Sequence, residues 1–397
     1  SAAFRNLDLF VTKGIGTGTG DPAAVLFETC KIDVTGGLLL NIKSRANVTF
    51  RDTTVISTAT DPVILIQNSA VSEIQLVNST IDYRKGNTSK ADNASIFNIA
   101  GGANATVTVD GTSKLIYNPN IDYAKNADKK YNQIFSVHDA NTVANITLKS
   151  GAVFEYNTVP KGVESLAFLR NASVSTLNLV DEGATWTVGA AVAKKGYQFV
   201  SNAGTFHCKT VAMKAADGRL YSPTAAIQTL TAKTSFTPVG MGVSNEAGAS
   251  IRLSDPTGIR FGTKIDRNFF DALGSSAVYG VKVARRDVLQ NGDFAALTGA
   301  GSVSYDSANA DFRWVTEGEF FRTVLMNIGK DNYATALCWN AYVTVTYADG
   351  TAATFWADWT EADNCRSLAQ VAQSALADTT VTWTEAEAAL LNTIAGN

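Results

Sequence analysis

At 397 residues the chain is too long for one ordinary globular core and fits two domains. Its net charge of −3 and mixed surface offer no basic stripe for nucleic acid, and no window approaches the ~18 consecutive apolar residues that a membrane helix needs. Only 17% of residues are charged while Thr, Ser, Asn, Ala and Gly are abundant, as in extracellular β-rich proteins and in subunits that pack against copies of themselves.

The chain begins at Ser1 without methionine, which is compatible with removal of a secretion signal. Its first motif, Gly14-Ile15-Gly16-Thr17-Gly18-Thr19-Gly20, invites a phosphate-loop reading. The GxGxxG spacing fails at Thr19 and no Lys-Ser/Thr follows, so an entry loop capping the next element is expected.

From Val48 a short apolar-x-apolar step returns at Val48/Phe50, Ile74/Leu76, Val107/Val109, Ile146/Leu148, Leu177/Leu179 and Phe206/Cys208. A turn and a second step follow each one: Val55-Ile56, Ile81/Tyr83, Leu115/Tyr117, Phe154/Tyr156, Trp186/Val188 and Val211/Met213. A third apolar run leads into most of them, as in Val63 to Ile66, Ile96 to Ile99, Ile134 to Val137, Leu166 to Leu169 and Tyr197 to Val200. Three short alternating strands per period of about thirty residues predict a parallel β-helix of six or seven rungs over 1–220. Stacking at ~4.8 Å would place Tyr83, Tyr117 and Tyr156 in one column and Ile81, Leu115, Phe154 and Trp186 in another, as core packing.

Asp110-Gly111, Ser150-Gly151 and Glu182-Gly183 separate the two steps, so a corner is expected that needs a positive φ or close backbone approach. The extra residues of the longer periods gather in 84–93 and 118–131. Insertions at one corner project from one face, which makes these loops, with Lys85, Asn87, Tyr123 and Lys125, the leading candidate for partner or glycan contact; a plain solvated loop is the alternative.

Four cysteines are present. Cys338 in a strand-like run and Cys365 at a helix start share the late domain, so a disulfide between them is expected in a secreted protein. Cys30 and Cys208 lie near opposite ends of the stack, roughly 25 Å apart, and are expected to be free and buried. The sharper alternative joins them between neighbouring subunits, head to tail. Asn-x-Ser/Thr sequons occur at Asn47, Asn78, Asn87, Asn93, Asn104, Asn145 and Asn171.

After about Gly218 the period stops, and 219–238, with two prolines, reads as a connection to a second domain at 221–397. Strands are expected at 249–253, 258–265, 277–283, 320–326, 340–347 and 351–359, the last pair joined by an Asp-Gly hairpin turn. Helices are expected at 266–273, at 364–376 and after Thr384, where Glu387 completes a capping box. The reading is a β-rich α+β, sandwich-like domain.

Three stretches of this domain, Gly248 to Phe261, Val343 to Thr351 and Cys365 to Ala372, resemble a C-terminal module that recurs in large secreted and cell-surface proteins of gut-type Firmicutes. The resemblance covers about 240–395 and implies an extracellular address without a mechanism. The first half resembles pectate-lyase-like and adhesin solenoids in architecture only.

Chemistry has few residues to work with. His138 and His207 stand alone, and no nucleophile elbow, HExxH or CxxC is present, so no catalytic residue, cofactor or metal is expected. Outward positions Thr49, Gln75, Thr108, Thr147 and Asn178 are neutral, and such a column can pair along the stack or touch sugars but cannot shuttle protons. Asp82 and Glu155 occupy equivalent places two periods apart, as a weak acid pair. Trp339, Trp356 and Trp359 could stack on sugar rings, with hairpin packing as the blander use. The functional expectation is a non-enzymatic extracellular structural or adhesive surface protein that assembles with itself into a filament or layer. The alternative is a carbohydrate-binding or polysaccharide-cleaving protein, and a host-surface partner is not separable from either.

Overall fold

The computed structural model describes residues 3–5, 9–11, 22–59, 61–84, 94–120, 133–163, 166–227 and 230–396. The chain divides into two compact units, Ser1–Gly240 and Met241–Asn397, both rich in β-strand. The division therefore falls after Gly240, later than the boundary expected at 220.

In the first unit each described strand up to Thr205–Cys208 pairs in parallel with its counterpart one period away, which builds three sheets. One holds the second-step strands, Lys31–Val34, Thr54–Ser57, Thr80–Tyr83, Lys114–Tyr117, Val153–Tyr156 and Thr185–Val188, side by side. Another holds the lead-in strands, from Leu9–Val11 to Gln198–Asn202, and the third holds the first-step strands. Alternation explains the packing, because inward residues such as Val107, Val109, Leu115 and Tyr117 are fully buried while their neighbours face out.

Register matches the expected columns on most periods. Ile81, Leu115, Phe154 and Trp186 are Cα partners in succession, and so are Tyr83, Tyr117 and Tyr156. The rings meet: Tyr83 stacks on Tyr117 at 5.4 Å, Phe154 on Trp186 at 4.9 Å, and Tyr117 meets Tyr156 edge-on at 4.9 Å. Such pairs add about 0.5–1.5 kcal/mol each beyond area burial.

The structure corrects the repeat in three places. It begins one period earlier, with Val25 and Phe27 opposite Val48 and Phe50. Ile146 pairs with Leu179 rather than Leu177, a slip of two residues that keeps every side chain on its face. Val211/Met213 does not continue the column, because Thr234–Gly240 lies antiparallel between Thr185–Val188 and Thr210–Ala215. The stretch read as a connection therefore ends the stack. Pro238 is tolerated because it lies beyond the part of that strand that pairs with Thr185–Val188.

The corner between the two steps behaves as its glycines suggest. A Cβ on Gly111 would sit 2.2 Å from the Ser150 carbonyl oxygen, and Gly151 has φ +94°. Earlier periods need no glycine there, since Thr29, Asp52 and Asn78 take φ of 53°, 49° and 47°.

The second unit contains two antiparallel sheets. Gly258–Ile265 and Phe320–Met326 are central in one; Ala277–Arg285 and Leu337–Thr346 are central in the other. Phe261 of the first stacks on Trp339 of the second at 4.5 Å, and both are fully buried. Four short strands, Val243–Asn245, Ser302–Asp306, Trp314–Thr316 and Cys365–Arg366, escaped the sequence reading. Helices run Arg267–Leu273, Leu368–Ala377 and Glu385–Ala395, and Thr384 with Glu387 forms the expected capping box. The middle helix starts later than expected, because Ser367 and Gln370 cap it and Cys365 belongs to a short strand beside Cys338.

Candidate functional site

Thr49, Gln75, Thr108 and Thr147 share one register column, which ends in Val180, while Asn178 stands in the next column beside Asn145 because of the slip at Leu177. Asn178 Nδ2 donates to Asn145 Oδ1 at 2.7 Å, Asn145 Nδ2 to Asn104 Oδ1 at 3.3 Å, and Gln75 Nε2 to Glu73 Oε1 at 2.7 Å. Asn178 and Asn145 thus bond to side chains of the adjacent strand, whereas Gln75 bonds within its own strand.

Asp82 and Glu155 share a register column, both opposite Ile116. Two strand spacings hold them roughly 9.6 Å apart, and a cation closes each. Arg84 Nε donates to Asp82 Oδ2 at 2.9 Å, and Lys114 Nζ lies 2.7 Å from Glu155 Oε1. Burial pushes the Glu155 carboxyl up, but donation from Lys114 and Asn157 outweighs it and holds the group below its ordinary value. A carboxyl held ionised in this way is a poor proton donor near neutral pH.

His138 lies at the end of Phe135–Val137, with Nδ1 3.0 Å from Asp139 Oδ1 and Nε2 2.9 Å from Asn98 Oδ1. It is a corner histidine with both nitrogens engaged. Its hydrogen bond holds the Asp139 carboxyl below the ordinary range. His207 is exposed and pairs in register with Asn178.

Sequence reasoning missed a hydroxyl ladder under the glycine corner. Cys30 N–H donates to Thr53 Oγ1 at 3.3 Å, Thr53 N–H to Ser79 Oγ at 3.1 Å, and Ser79 N–H to Ser113 Oγ at 3.0 Å. The signal was present, since a Ser or Thr immediately precedes or opens the second step in three successive periods. It also missed Asp181, whose carboxylate takes N–H donors from Gly183, Ala184 and the Trp186 indole at 3.1, 2.9 and 2.8 Å. Burial nevertheless pushes that carboxyl above its ordinary value.

Cys30 follows Ala23–Glu28 and Cys208 closes Thr205–Cys208, the strands at opposite edges of the same seven-stranded sheet. Six spacings separate those strands by roughly 29 Å, and both thiols are free and partly buried. Burial pushes the Cys208 thiol up, and Thr210 N–H donates to its sulfur at 3.3 Å. Cys338 and Cys365 form a disulfide. Around it gather Ala284, Leu289 and Phe294, with Trp356 and Trp359 packed against them. Trp356 stacks on Phe294 at 5.9 Å and Trp359 meets the same ring edge-on at 5.6 Å, so both tryptophans spend a face on packing. Trp339 is wholly buried.

Lys85, Asn87, Tyr123 and Lys125, with the glycine-rich segment 14–20, lie outside the described residues. Of the sequons, Asn171 is 1% exposed and bonded to Asn202, Ser175 and the Thr205 carbonyl, which leaves no room for a glycan there. Among the described residues no group of three His, Cys, Asp or Glu is gathered for a metal, and no helix is long and apolar enough to cross a membrane.

The stack ends unevenly. Thr185–Val188 is covered by Thr234–Gly240. Beside Gln198–Asn202, Val200 N–H donates to the Pro223 carbonyl, and Tyr197 and Ile227 exchange backbone bonds at 3.1 and 2.7 Å. Thr205–Cys208 ends its sheet, with no strand beyond it among the described residues. Because Thr205 N–H donates inward to the Ser175 carbonyl, alternation directs the backbone groups of Phe206 and Cys208 outward. No family model, curated protein or solved structure matches this chain.

Proposed function

We propose that Ser1–Gly240 is a parallel β-helix, that Met241–Asn397 is a sandwich-like β-rich domain, and that the chain is a non-enzymatic structural or adhesive protein of the cell exterior that assembles with itself. The observation that carries this reading is the uneven end of the stack. Two of its three sheets are met by the chain itself, while Thr205–Cys208 has no strand beyond it among the described residues. A free strand edge is a template for pairing, and a second copy supplies the strand that this chain lacks.

Three further observations support it. The outward amides of Asn178, Asn145 and Gln75 are bonded to neighbouring side chains, the acids of the Asp82/Glu155 column are closed by cations, and Trp356 and Trp359 pack around the disulfide. A disulfide and the resemblance of 240–395 to a secreted-protein module favour an extracellular address. Sedimentation velocity and negative-stain microscopy across protein concentration and salt should find oligomers or filaments; dispersed monomers throughout would remove the assembly claim. The carbohydrate reading rests on the loops 84–93 and 118–131, which lie largely outside the described residues, and on the tryptophans and neutral outward positions, and a glycan array with a reducing-sugar assay decides it.

A further inference from the structure

We propose that the outer edge of Ser302–Asp306, in the second unit, docks an extended, uncharged peptide segment of a partner protein, which adds to the sheet as a strand. The site stands apart from assembly of the first unit.

The edge is defined by hydrogen bonding. Arg285 N–H donates to the Gly301 carbonyl at 2.9 Å and Ser307 N–H to the Tyr279 carbonyl at 2.8 Å. Between these, Val303 faces Val283 and Tyr305 faces Val281 in antiparallel register. Alternation then turns the backbone groups of Val303 and Tyr305 toward Ala277–Arg285, and those of Ser302 and Ser304 away from it. Ser302–Asp306 is the last strand of its sheet, and its sequence Ser-Val-Ser-Tyr-Asp has neither the proline nor the lysine that commonly blunts an edge.

Two cavities meet at Ser302. One, of about 400 Å³, is walled by Val303, Leu325, Met326, Ile328 and Leu337. The other, of about 450 Å³, is bounded by Gln290, Asn291, Asp293, Leu297 and Thr298. They open on opposite faces of the sheet. Val283 lines the first, while Lys282, its neighbour on the other face, sends Nζ to the carbonyls of Phe294 and Leu297 and so pins the loop that bounds the second.

A strand laid along this edge points successive side chains to opposite faces. One residue enters the apolar cavity and the next enters the polar one, while main-chain bonds to Ser302 and Ser304 set the register. The charged residues that line these cavities are already used. Arg285 is paired with Asp287, and Asp293 accepts from the Ala295 and Ala296 amides at 3.0 and 3.1 Å. The chemistry therefore selects aliphatic residues alternating with Ser, Thr or Asn.

The probe is a fluorescein-labelled octapeptide of alternating valine and threonine, titrated against the full chain by fluorescence anisotropy. Saturable binding is expected. Ser304→Pro removes an amide that faces away from the ladder, so the circular dichroism should hold while binding weakens at least about tenfold. Met326→Lys, at a side chain 45% exposed, leaves the edge intact and should weaken binding by a similar factor. No saturable binding by the unaltered chain up to millimolar peptide, or equal binding by both variants, overturns the proposal. A dimer in sedimentation that Ser304→Pro dissolves would also overturn it, assigning the edge to a second copy.

Discussion

In the first unit a strand's partners lie one period away along the chain, whereas in the second Asn245 Nδ2 reaches Asn340 Oδ1 and the Asp358 carbonyl, 95 and 113 residues on. The first is a sum of nearest-neighbour contacts, so damage to one period is felt chiefly by the periods beside it. The second closes on itself through distant ties, the disulfide among them, so loss of one tie loosens the whole unit. Repetition thus provides tolerance, and closure provides cooperativity.

The sharpest break in this contrast is Trp186→Ala. Trp186 is 1% exposed, stacks on Phe154 and holds Asp181 through its indole N–H. Urea denaturation followed by circular dichroism should register a loss of about 3–5 kcal/mol. Hydrogen exchange should place the change in 150–240 and leave 31–83 as before. Next comes the pair Cys338→Ala with Cys365→Ala, which removes a cross-link spanning 27 residues. A loss of about 3 kcal/mol is expected, with faster exchange across 241–397 and none of the effect in 22–240.

Gly111→Ala is smaller. It drives a methyl group to 2.2 Å from the Ser150 carbonyl oxygen and should cost about 1–3 kcal/mol. Gly240→Ala, with nothing within 4 Å, should change stability by no more than about 1 kcal/mol. Equal effects in the two would mean that the corner contact is not made. Between these two falls Ser79→Ala, which leaves the Thr53 amide without its acceptor and should cost about 1–2 kcal/mol, with faster exchange at Thr53 itself.

Much of the first unit was legible because period-two alternation survives translation along a stack. Ile81, Leu115, Phe154 and Trp186 differ in size yet keep one face and one register. The slip at Leu177 was invisible for the same reason, since a shift of two residues preserves every hydrophobic position and only hydrogen-bond pairing reveals it. The antiparallel strand Thr234–Gly240 was hidden by Pro238, which marks a loop unless one knows that its pairing is one-sided there. In the second unit the hairpin and the capping box of Thr384 and Glu387 were local signals and were found, whereas the box of Ser367 and Gln370 was not. Ser302–Asp306, polar and short, carries no strand signature of its own and becomes a strand only through Ala277–Arg285. The candidate site residues fared accordingly. The cysteines could be placed by counting strands, whereas the packing of Trp356 and Trp359 against Phe294 depends on a loop that no local pattern announces.

The most direct test of the account is one distance. Leu26 and Val180 are both exposed and stand at the two ends of an outer column that runs through Thr49, Gln75, Thr108 and Thr147. Spin labels at Leu26→Cys and Val180→Cys, with Cys30 and Cys208 replaced by serine, should give a single narrow distance distribution by pulsed electron resonance. Five strand spacings set its centre near ~24 Å, broadened by the label tethers. A broad distribution, or a centre displaced by more than those tethers can span, would contradict the stacked register on which the account rests.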